Sequence, residues 1–335
     1  MTRGPIRLHY AGVPGEGYGW GVCNTNLHRE LARLVEMCEP PADVVFTPAD
    51  PGLNPFSAAR GEALTLGYTF FELPLAAEAA ANAERYDVMF CGSNWCLSRL
   101  RERGIRNGRL LIQGVDAAIF HPRPRIADGQ FRVFSGGKCE WRKGQDLVIA
   151  AFKRFADAHP QAHLVCNWYN PWPEVIASIG QSPHIVKSAT GATQEEFFTS
   201  LLLSNGIARS QFTVLPQLTQ TELAAHMAQT DCGLFTNRCE GGTNLVLMEY
   251  LACGRRAAAN RLTGHADLPP ANLVEIAATE DDQHWALQGI DSIVASLEQL
   301  WSRRDEAVDA ASVPHWPWTA VAQTVFDTIC EAQDR

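Results

Sequence analysis

The stretch 239–254 constrains this chain more than any other, because it sets an acid, a turn of small residues, a second acid and a helix stop in one order. It reads Cys-Glu-Gly-Gly-Thr-Asn-Leu-Val-Leu-Met-Glu-Tyr-Leu-Ala-Cys-Gly. Thr243 or Asn244 is placed to cap a helix whose apolar positions Leu245, Met248 and Ala252 recur at three- and four-residue intervals, and Gly254 is placed to end it. A helix entered from Gly241-Gly242 is a ready anion site. Its first amide N–H groups and the positive end of its dipole point into the turn, and the glycines let a phosphate approach the backbone.

Glu249 lies further along that helix, ~8 Å down the axis at 1.5 Å of rise per residue, roughly the reach from a diphosphate to a ribose. A carboxylate accepts from both ribose hydroxyls at once, so the segment is suited to holding a nucleotide while the helix end holds its phosphates. Glu240, before the turn, faces whatever lies beyond the phosphates. Taken singly, each feature has a bland counterpart in a solvated helix acid or an ordinary Gly-Gly loop.

A second loop adds positive charge. After a strand at 131–135 comes Gly136-Gly137-Lys138-Cys139-Glu140-Trp141-Arg142-Lys143-Gly144, in which two ammonium groups five positions apart make a clamp for a diphosphate. Cations there neutralise the charge that grows on a departing nucleotide. A lysine is a point charge and not a planar fork, so either its grip on phosphate is weaker than an arginine's or Arg142 contributes.

The ordered acid-to-acid pattern resembles the signature of retaining glycosyltransferases of the group 1, or family 4, class, in the subgroup with Glu-Gly-Gly-Thr-Asn at the turn. Its acids are one residue further apart than in the commonest form, and Lys138 stands where an arginine is usual. The resemblance implies an α/β chain of two Rossmann-like doubly wound domains facing a central cleft, the GT-B fold. An acceptor-side domain is expected over 1–122, a nucleotide-sugar domain over 131–305, and a C-terminal helix in 306–335 packed back on the first domain. It implies transfer of a hexose, with retention, from a nucleotide-diphosphate sugar to an acceptor hydroxyl. Lys138, Lys143, Glu240 and Glu72 are then the catalytic candidates. Gly19, Trp20, Gly21, Lys138, Lys143, Leu215, Glu240, Gly241, Gly242, Thr243, Asn244, Leu245, Glu249 and His265 are the donor-binding ones.

Several of these rest on shorter matches. Gly19-Trp20-Gly21 resembles the family's glycine-rich first loop, against a surface loop as the plain alternative. Tyr68-Thr69-Phe70-Phe71-Glu72 resembles a cleft-facing strand end, where Glu72 contacts the acceptor, handles a proton, or simply ends the strand. Gly114-Val115-Asp116 with Phe120 and Pro122 matches the segment that closes the first domain. The loop 215–218 flanks the base, and Thr263-Gly264-His265 either touches the sugar or closes a turn.

Strand-then-helix alternation runs through both halves, as doubly wound domains require. Strands are expected at 6–10, 44–48, 63–69, 87–92, 110–112, 131–135, 162–167, 212–216, 232–236 and 257–259. Helices are expected at 24–37, 76–84, from Ser93-Asn94 to about 103, at 147–156, from Thr219, from 243 or 244 to 254, beyond 291, and from 320 to about 332. Residues 122–130 read as a linker.

Composition removes other classes. With 335 residues the chain has room for two cores, and its formal charge of −9 argues against nucleic acid as partner. Ten cysteines without a C-x-x-C pair indicate thiols in a reducing cytoplasm, neither a disulfide framework nor a metal site. No apolar run approaches the ~20 residues of a membrane span. The glycines from Gly15 to Gly21 fall on alternate residues, which breaks the G-x-G-x-x-G register and leaves an NAD-dependent oxidoreductase as a remote alternative. A nucleotide-sugar-binding protein without transfer is the nearer one. No cofactor and no metal are expected, since the chain lacks Asp-x-Asp and sets cations at the phosphates. Base, sugar and acceptor are not legible.

Overall fold

A computed structural model of the chain describes residues 5–56, 63–125 and 128–334. Internal contacts divide it into two compact units. The first comprises Met1–Asp116, Glu240–Leu245 and Trp316–Arg335, and the second Ala117–Cys239 and Val246–His315.

In the first unit, strand β1 (Arg7–Tyr10), helix α1 (Gly19–Leu31) and strands β2 (Glu36–Met37), β3 (Val44–Ala49) and β4 (Leu64–Thr69) are followed by helix α2 (Ala79–Ala83). Strand β5 (Val88–Cys91), helix α3 (Asn94–Glu102) and strand β6 (Gly108–Leu110) complete the run. The six strands are parallel in the order β2-β1-β3-β4-β5-β6. All six residues of β3 are buried, as expected of a parallel strand covered on both faces. Ser93 caps α3, its Oγ accepting from the Cys96 N–H at 3.1 Å.

The second unit opens with β7 (Phe131–Gly136), α4 (Gln145–Ala158), β8 (Ala162–Asn167), α5 (Pro173–Ile176), α6 (Gln194–Ser204), β9 (Phe212–Val214), α7 (Gln220–Ala228) and β10 (Cys232–Phe235). Then come α8 (Leu245–Ala252), β11 (Arg256–Ala259), β12 (Leu273–Glu275), the hairpin β13 (Ala278–Glu280) and β14 (Ala286–Gln288), and α9 (Ile290–Ser302). Its parallel sheet runs β12-β11-β10-β7-β8-β9, so strand order reverses between β10 and β7. Such a reversal opens a crevice at the carboxyl ends of those two strands. Beneath it lies an apolar core that includes Phe131, Phe152, Phe155, Trp168 and Leu297. Helix α8 is apolar on nearly every side and accordingly buried, Tyr250 stacking on Phe134 with ring centroids 5.3 Å apart.

The last helix, α10 (Trp318–Gln333), belongs to the first unit and packs on α1. Val115 donates to the Trp316 carbonyl at 2.6 Å, and a Cβ on Gly114 would lie 2.7 Å from the Trp318 ring. Arg109 pairs with Glu331 at 2.8 Å.

Two expectations need correction. The first helix begins at Gly19 and ends at Leu31, five or six residues before the expected span at each end. Gly19, Trp20 and Gly21 are therefore its first turn, not a loop. The chain leaves the helix because Glu36 and Cys38 donate to Ile6 and Leu8, pairing β2 with β1, and Val35 is buried in the connecting turn. The other correction concerns α6, where no element was expected. Its Thr193 and Glu196 form a reciprocal capping box, the same signal that marks α7 through Thr219 and Glu222.

Gly144 enters α4 at φ 73°, and a Cβ there would lie 2.1 Å from the Thr236 carbonyl oxygen. Gly254, after α8, has φ 72° but meets only the Pro122 ring, at 3.1 Å. Replacing each by alanine is expected to lower the denaturation midpoint at both sites, with Gly144→Ala costing at least ~1 kcal/mol more, because backbone cannot yield as a ring edge can. Equal losses in urea titrations would refute this account of Gly144.

Candidate functional site

Lys138 and Lys143 stand on the loop that leaves β7, and a buried lattice of polar contacts holds that loop in place. Gln145 Nε2 donates to the carbonyls of Gly137 and Lys138, at 3.3 and 2.9 Å, while its Oε1 accepts from the Glu140 N–H at 3.3 Å. Trp141 N–H donates to Ser178 Oγ at 2.9 Å. The loop also closes on the end of β10. Arg238 donates from both terminal nitrogens to Asp146, each at 2.8 Å, and to the Trp141 carbonyl at 2.7 Å, with its guanidinium 3.5 Å above the Trp141 ring. Asp146 is wholly buried and accepts a further hydrogen bond from Ser182 Oγ at 2.6 Å.

Arg142 turns inward. It donates to Glu140 Oε1 at 2.5 Å and to the Cys239 carbonyl at 3.1 Å, so its charge is committed to holding the loop against residue 239. Lys138 approaches the same Glu140 at 3.8 Å and lies 4.8 Å from the centroid of Trp172, a ring 42% exposed. The turn at Trp172 thus forms one wall for the Lys138 ammonium.

After β10 the backbone at 236–238 is pinned by β14. Gln288 Nε2 donates to the carbonyls of Thr236 and Asn237, at 2.9 and 3.1 Å, and Ala286 donates to that of Arg238 at 2.7 Å. Nothing in the sequence reading pointed to this hairpin. The same Asn237 carbonyl accepts from Asn260 Nδ2 at 2.7 Å, tying in the end of β11. His265 follows in a buried 3-10 turn, Thr263–Asp267, with its carbonyl accepting from Leu268. Leu215 is buried at the end of β9, and its N–H is committed to the Cys166 carbonyl at 2.8 Å.

The turn Glu240–Leu245 clusters with the first unit, and its glycines are required there. A Cβ on Gly241 would lie 2.4 Å from the Phe71 carbonyl oxygen, and the Gly241 carbonyl accepts from Ser93 Oγ at 2.7 Å and Cys96 Sγ at 3.0 Å. The segment preceding Glu72 therefore lies against the turn that follows Glu240. Glu240, Thr243 and Asn244 are buried and Glu72 is half-buried. Asn244, at φ 63°, supplies the left-handed residue from which α8 starts, a conformation asparagine tolerates.

Glu249 is the electrostatic outlier. Its carboxyl is buried on α8, with Gln220 Nε2 donating to Oε1 at 3.2 Å, and desolvation pushes its pKa up to about 8. Gln220 escaped the sequence reading because only the fold brings the start of α7 to α8. Among the described residues, no three His, Cys, Asp or Glu side chains gather in a way that could hold a metal ion, and no helix is long and apolar enough to cross a membrane. All ten cysteines lie outside disulfides, eight of them buried.

Comparison with solved structures places this architecture. Sucrose-phosphate synthase from Thermosynechococcus elongatus superposes with a TM-score of 0.73 at 14% identity, covering 99% of this chain and 100% of that one. Anabaena HepE, solved with UDP and glucose, gives 0.63 at 12% identity over 97% of this chain and 100% of its own. The lipopolysaccharide outer core galactosyltransferase WaaB gives 0.61 at 12% identity over 98% and 100%. No family model and no curated protein sequence matches the chain. The chain has the GT-B glycosyltransferase fold, with two parallel-sheet α/β domains.

Breaking one partner of the Arg238–Asp146 pair strands a buried charge. Asp146→Ala or Arg238→Ala is expected to cost about 3–5 kcal/mol, with the double variant losing much less than the sum. Strictly additive losses in a double-mutant cycle would show that the pair does not hold the loop.

Proposed function

We propose that the protein is a retaining glycosyltransferase that moves a hexose from a nucleotide-diphosphate sugar to an acceptor hydroxyl without a metal ion. The observation that carries this reading is the desolvated Glu249 on α8, the helix that follows β10, one helix turn and more beyond a glycine turn. Perturbed carboxyls of this kind concentrate at functional sites. In this reading Glu249 accepts from the ribose hydroxyls, and the amide groups entering α8 at Thr243, Asn244 and Leu245 receive the phosphates. Gly241 and Gly242 keep that approach open, and Leu215 and its loop border the base. The UDP held by HepE in its solved complex makes a uridine nucleotide the first donor to test.

The chemistry follows from the charges. As the bond from the anomeric carbon to the diphosphate oxygen breaks, Lys138 and Lys143 stabilise the negative charge left on the diphosphate. The acceptor oxygen forms its bond to the same face of that carbon, and its proton passes to the departing phosphate oxygen. Glu240 and His265 orient the hexose, and Glu72 contacts the acceptor. Trp20, with Gly19 and Gly21, was expected at the donor. In this reading they contact it from the first turn of α1. A protein that binds nucleotide sugar without transferring it is the alternative, distinguished by assaying product with a range of acceptors and with chelator present.

Thermal-shift and calorimetric titration with UDP, GDP, ADP and UDP-glucose test the reading, since a true ligand raises the melting temperature by mass action. Ribose hydroxyls donate to the ionised carboxyl, so UDP-glucose affinity is expected to rise as pH increases towards about 8, where Glu249 ionises, and to level off above it. Glu249→Gln should weaken binding at least tenfold at pH 8. The same variant should stabilise the ligand-free protein. A carboxyl whose folded pKa is raised is fully tolerated below its unfolded value and increasingly penalised as pH climbs from that value to the folded one, so the gain should be on the order of 2–4 kcal/mol at pH 8 and vanish near pH 4. Absence of a shift with every nucleotide would end the proposal.

A further inference from the structure

The buried carboxyl of Glu249 is met by a side chain from another helix of the same unit. Gln220, half-buried at the start of α7, donates from Nε2 to Glu249 Oε1 at 3.2 Å. Among the described residues no other hydrogen bond and no ion pair reaches this carboxyl. A carboxylate has two oxygens and about four places at which a donor can meet them, and Gln220 takes one of these, on Oε1.

The amide is anchored from both sides in sequence. Thr219, just before it, caps α7: its Oγ1 accepts from the Glu222 N–H at 3.3 Å, and its own N–H donates back to Glu222 Oε2 at 2.9 Å. Upstream, the Leu215 N–H donates to the Cys166 carbonyl at 2.8 Å, and Asn167 Nδ2 donates to the Pro216 carbonyl at 3.3 Å. The strip 215–220 is therefore held at its start by β8 and at its end by a capping box. A side chain on so short and anchored a strip gives up little further freedom when it makes its bond.

The charges around Glu249 leave this role to an amide. On α8 itself Glu249 interacts with Cys253, one turn on, whose thiol burial pushes up to about 12, so it is uncharged where Glu249 ionises. Arg123, ahead of β7, and Arg255, ahead of β11, also act on that thiol. Both are engaged with backbone, Arg123 Nη2 donating to the Ile119 carbonyl at 3.0 Å and Arg255 Nη2 to the Arg123 carbonyl at 2.7 Å. The ionised form of Glu249 thus has a neutral partner, Gln220, where a paired cation would serve fold stability better.

We infer that Gln220 is a positioning residue for Glu249 and, through it, sets the preference for a ribonucleotide over its 2′-deoxy counterpart. The inference rests on the reading of Glu249 as the ribose acceptor and adds a second residue to it. With Oε1 held by Gln220 the plane of the carboxyl is set, so two vicinal hydroxyls donate together, one to Oε2 and one to the second place on Oε1. A carboxyl that can turn accepts from either hydroxyl alone, and loss of the 2′ hydroxyl then costs little. A fixed one is left with an unanswered oxygen when that hydroxyl is missing, which is how a buried polar site rejects an analogue. The strip read to border the base also carries Gln220, so one anchored run of chain serves base and ribose together.

The test titrates the full chain with UDP-glucose, UDP and 2′-deoxy-UDP by calorimetry between about pH 6 and pH 9. Gln220→Ala removes a donor to the ionised carboxyl, so the midpoint of the UDP-glucose pH profile is expected to move up by at least ~0.5 pH unit, and the preference for UDP over 2′-deoxy-UDP to fall at least ~threefold. Gln220→Lys sets an ammonium in place of the amide and should move the midpoint down. Without ligand, Gln220→Ala should lose more stability at pH 9 than at pH 6, and that difference should disappear when Glu249→Gln is added. A packing role alone would lower the melting temperature and move none of these. An unchanged midpoint with an unchanged preference in Gln220→Ala, or midpoint shifts of the same sign in the two variants, would overturn the inference while leaving the transferase reading intact. Failure of the unaltered protein to bind any nucleotide would remove that reading, and this one with it.

Discussion

The two parallel hydrogen bonds between Arg238 and Asp146 join the end of β10 to the start of α4 inside a space that excludes water. Two ions in such a place are stable only if each is answered in geometry as well as charge, and here Ser182, the Trp141 carbonyl and the Trp141 ring complete the set. The consequence is positional. Lys138 and Lys143 lie on the chain between β7 and α4, so fixing Trp141 and Asp146 fixes the arc that carries both ammonium groups. Cations that meet a charge only as it develops contribute most when no reorganisation is left to make.

That arrangement gives the loop's arginine a structural task. A nearby acid, Glu140, is needed to accept from Arg142, and Arg142 in turn grips the Cys239 carbonyl at the threshold of the glycine turn. Glu140 also draws Lys138 to 3.8 Å. The whole chain has four lysines, and all of them, Lys138, Lys143, Lys153 and Lys187, fall in the second unit.

The sequence carried the local signals well and the tertiary ones poorly. β8 agrees with its expected bounds, and α7 and α3 begin where a capping box and a serine cap said they would, because these depend on neighbours in sequence. The first helix was misplaced because Leu34 and Val35 continue its apolar period although the backbone there has turned to feed β2. Glycine misled in the same region. Gly19 and Gly21 look like loop residues, yet Gly21 sits in a helix whose turn presses on Tyr18, with a Cβ position 2.7 Å from that ring. At the site, the acids and lysines were legible as residue types in order. Gln220, Gln288 and the Arg238–Asp146 pair were not, since each acts across more than twenty residues of chain and has no motif of its own.

Glu249 shows how stability and function pull apart on a single side chain. Burying it raises its pKa to about 8, which means the folded protein near neutral pH either protonates a carboxyl that water would ionise or bears the cost of the bare charge. The burial that imposes this cost is shared by Leu247, Met248, Tyr250 and Leu251, which make α8 a buried strut. One amide, from Gln220, offsets part of it. A glutamine at 249 would satisfy the same helix with no penalty, so fold stability gives no reason for an acid there. Under the proposed function a ligand with paired hydroxyls supplies that reason, because it would convert the unfavourable desolvated carboxylate into an acceptor matched on both oxygens, and the binding free energy would then include relief of that desolvation cost.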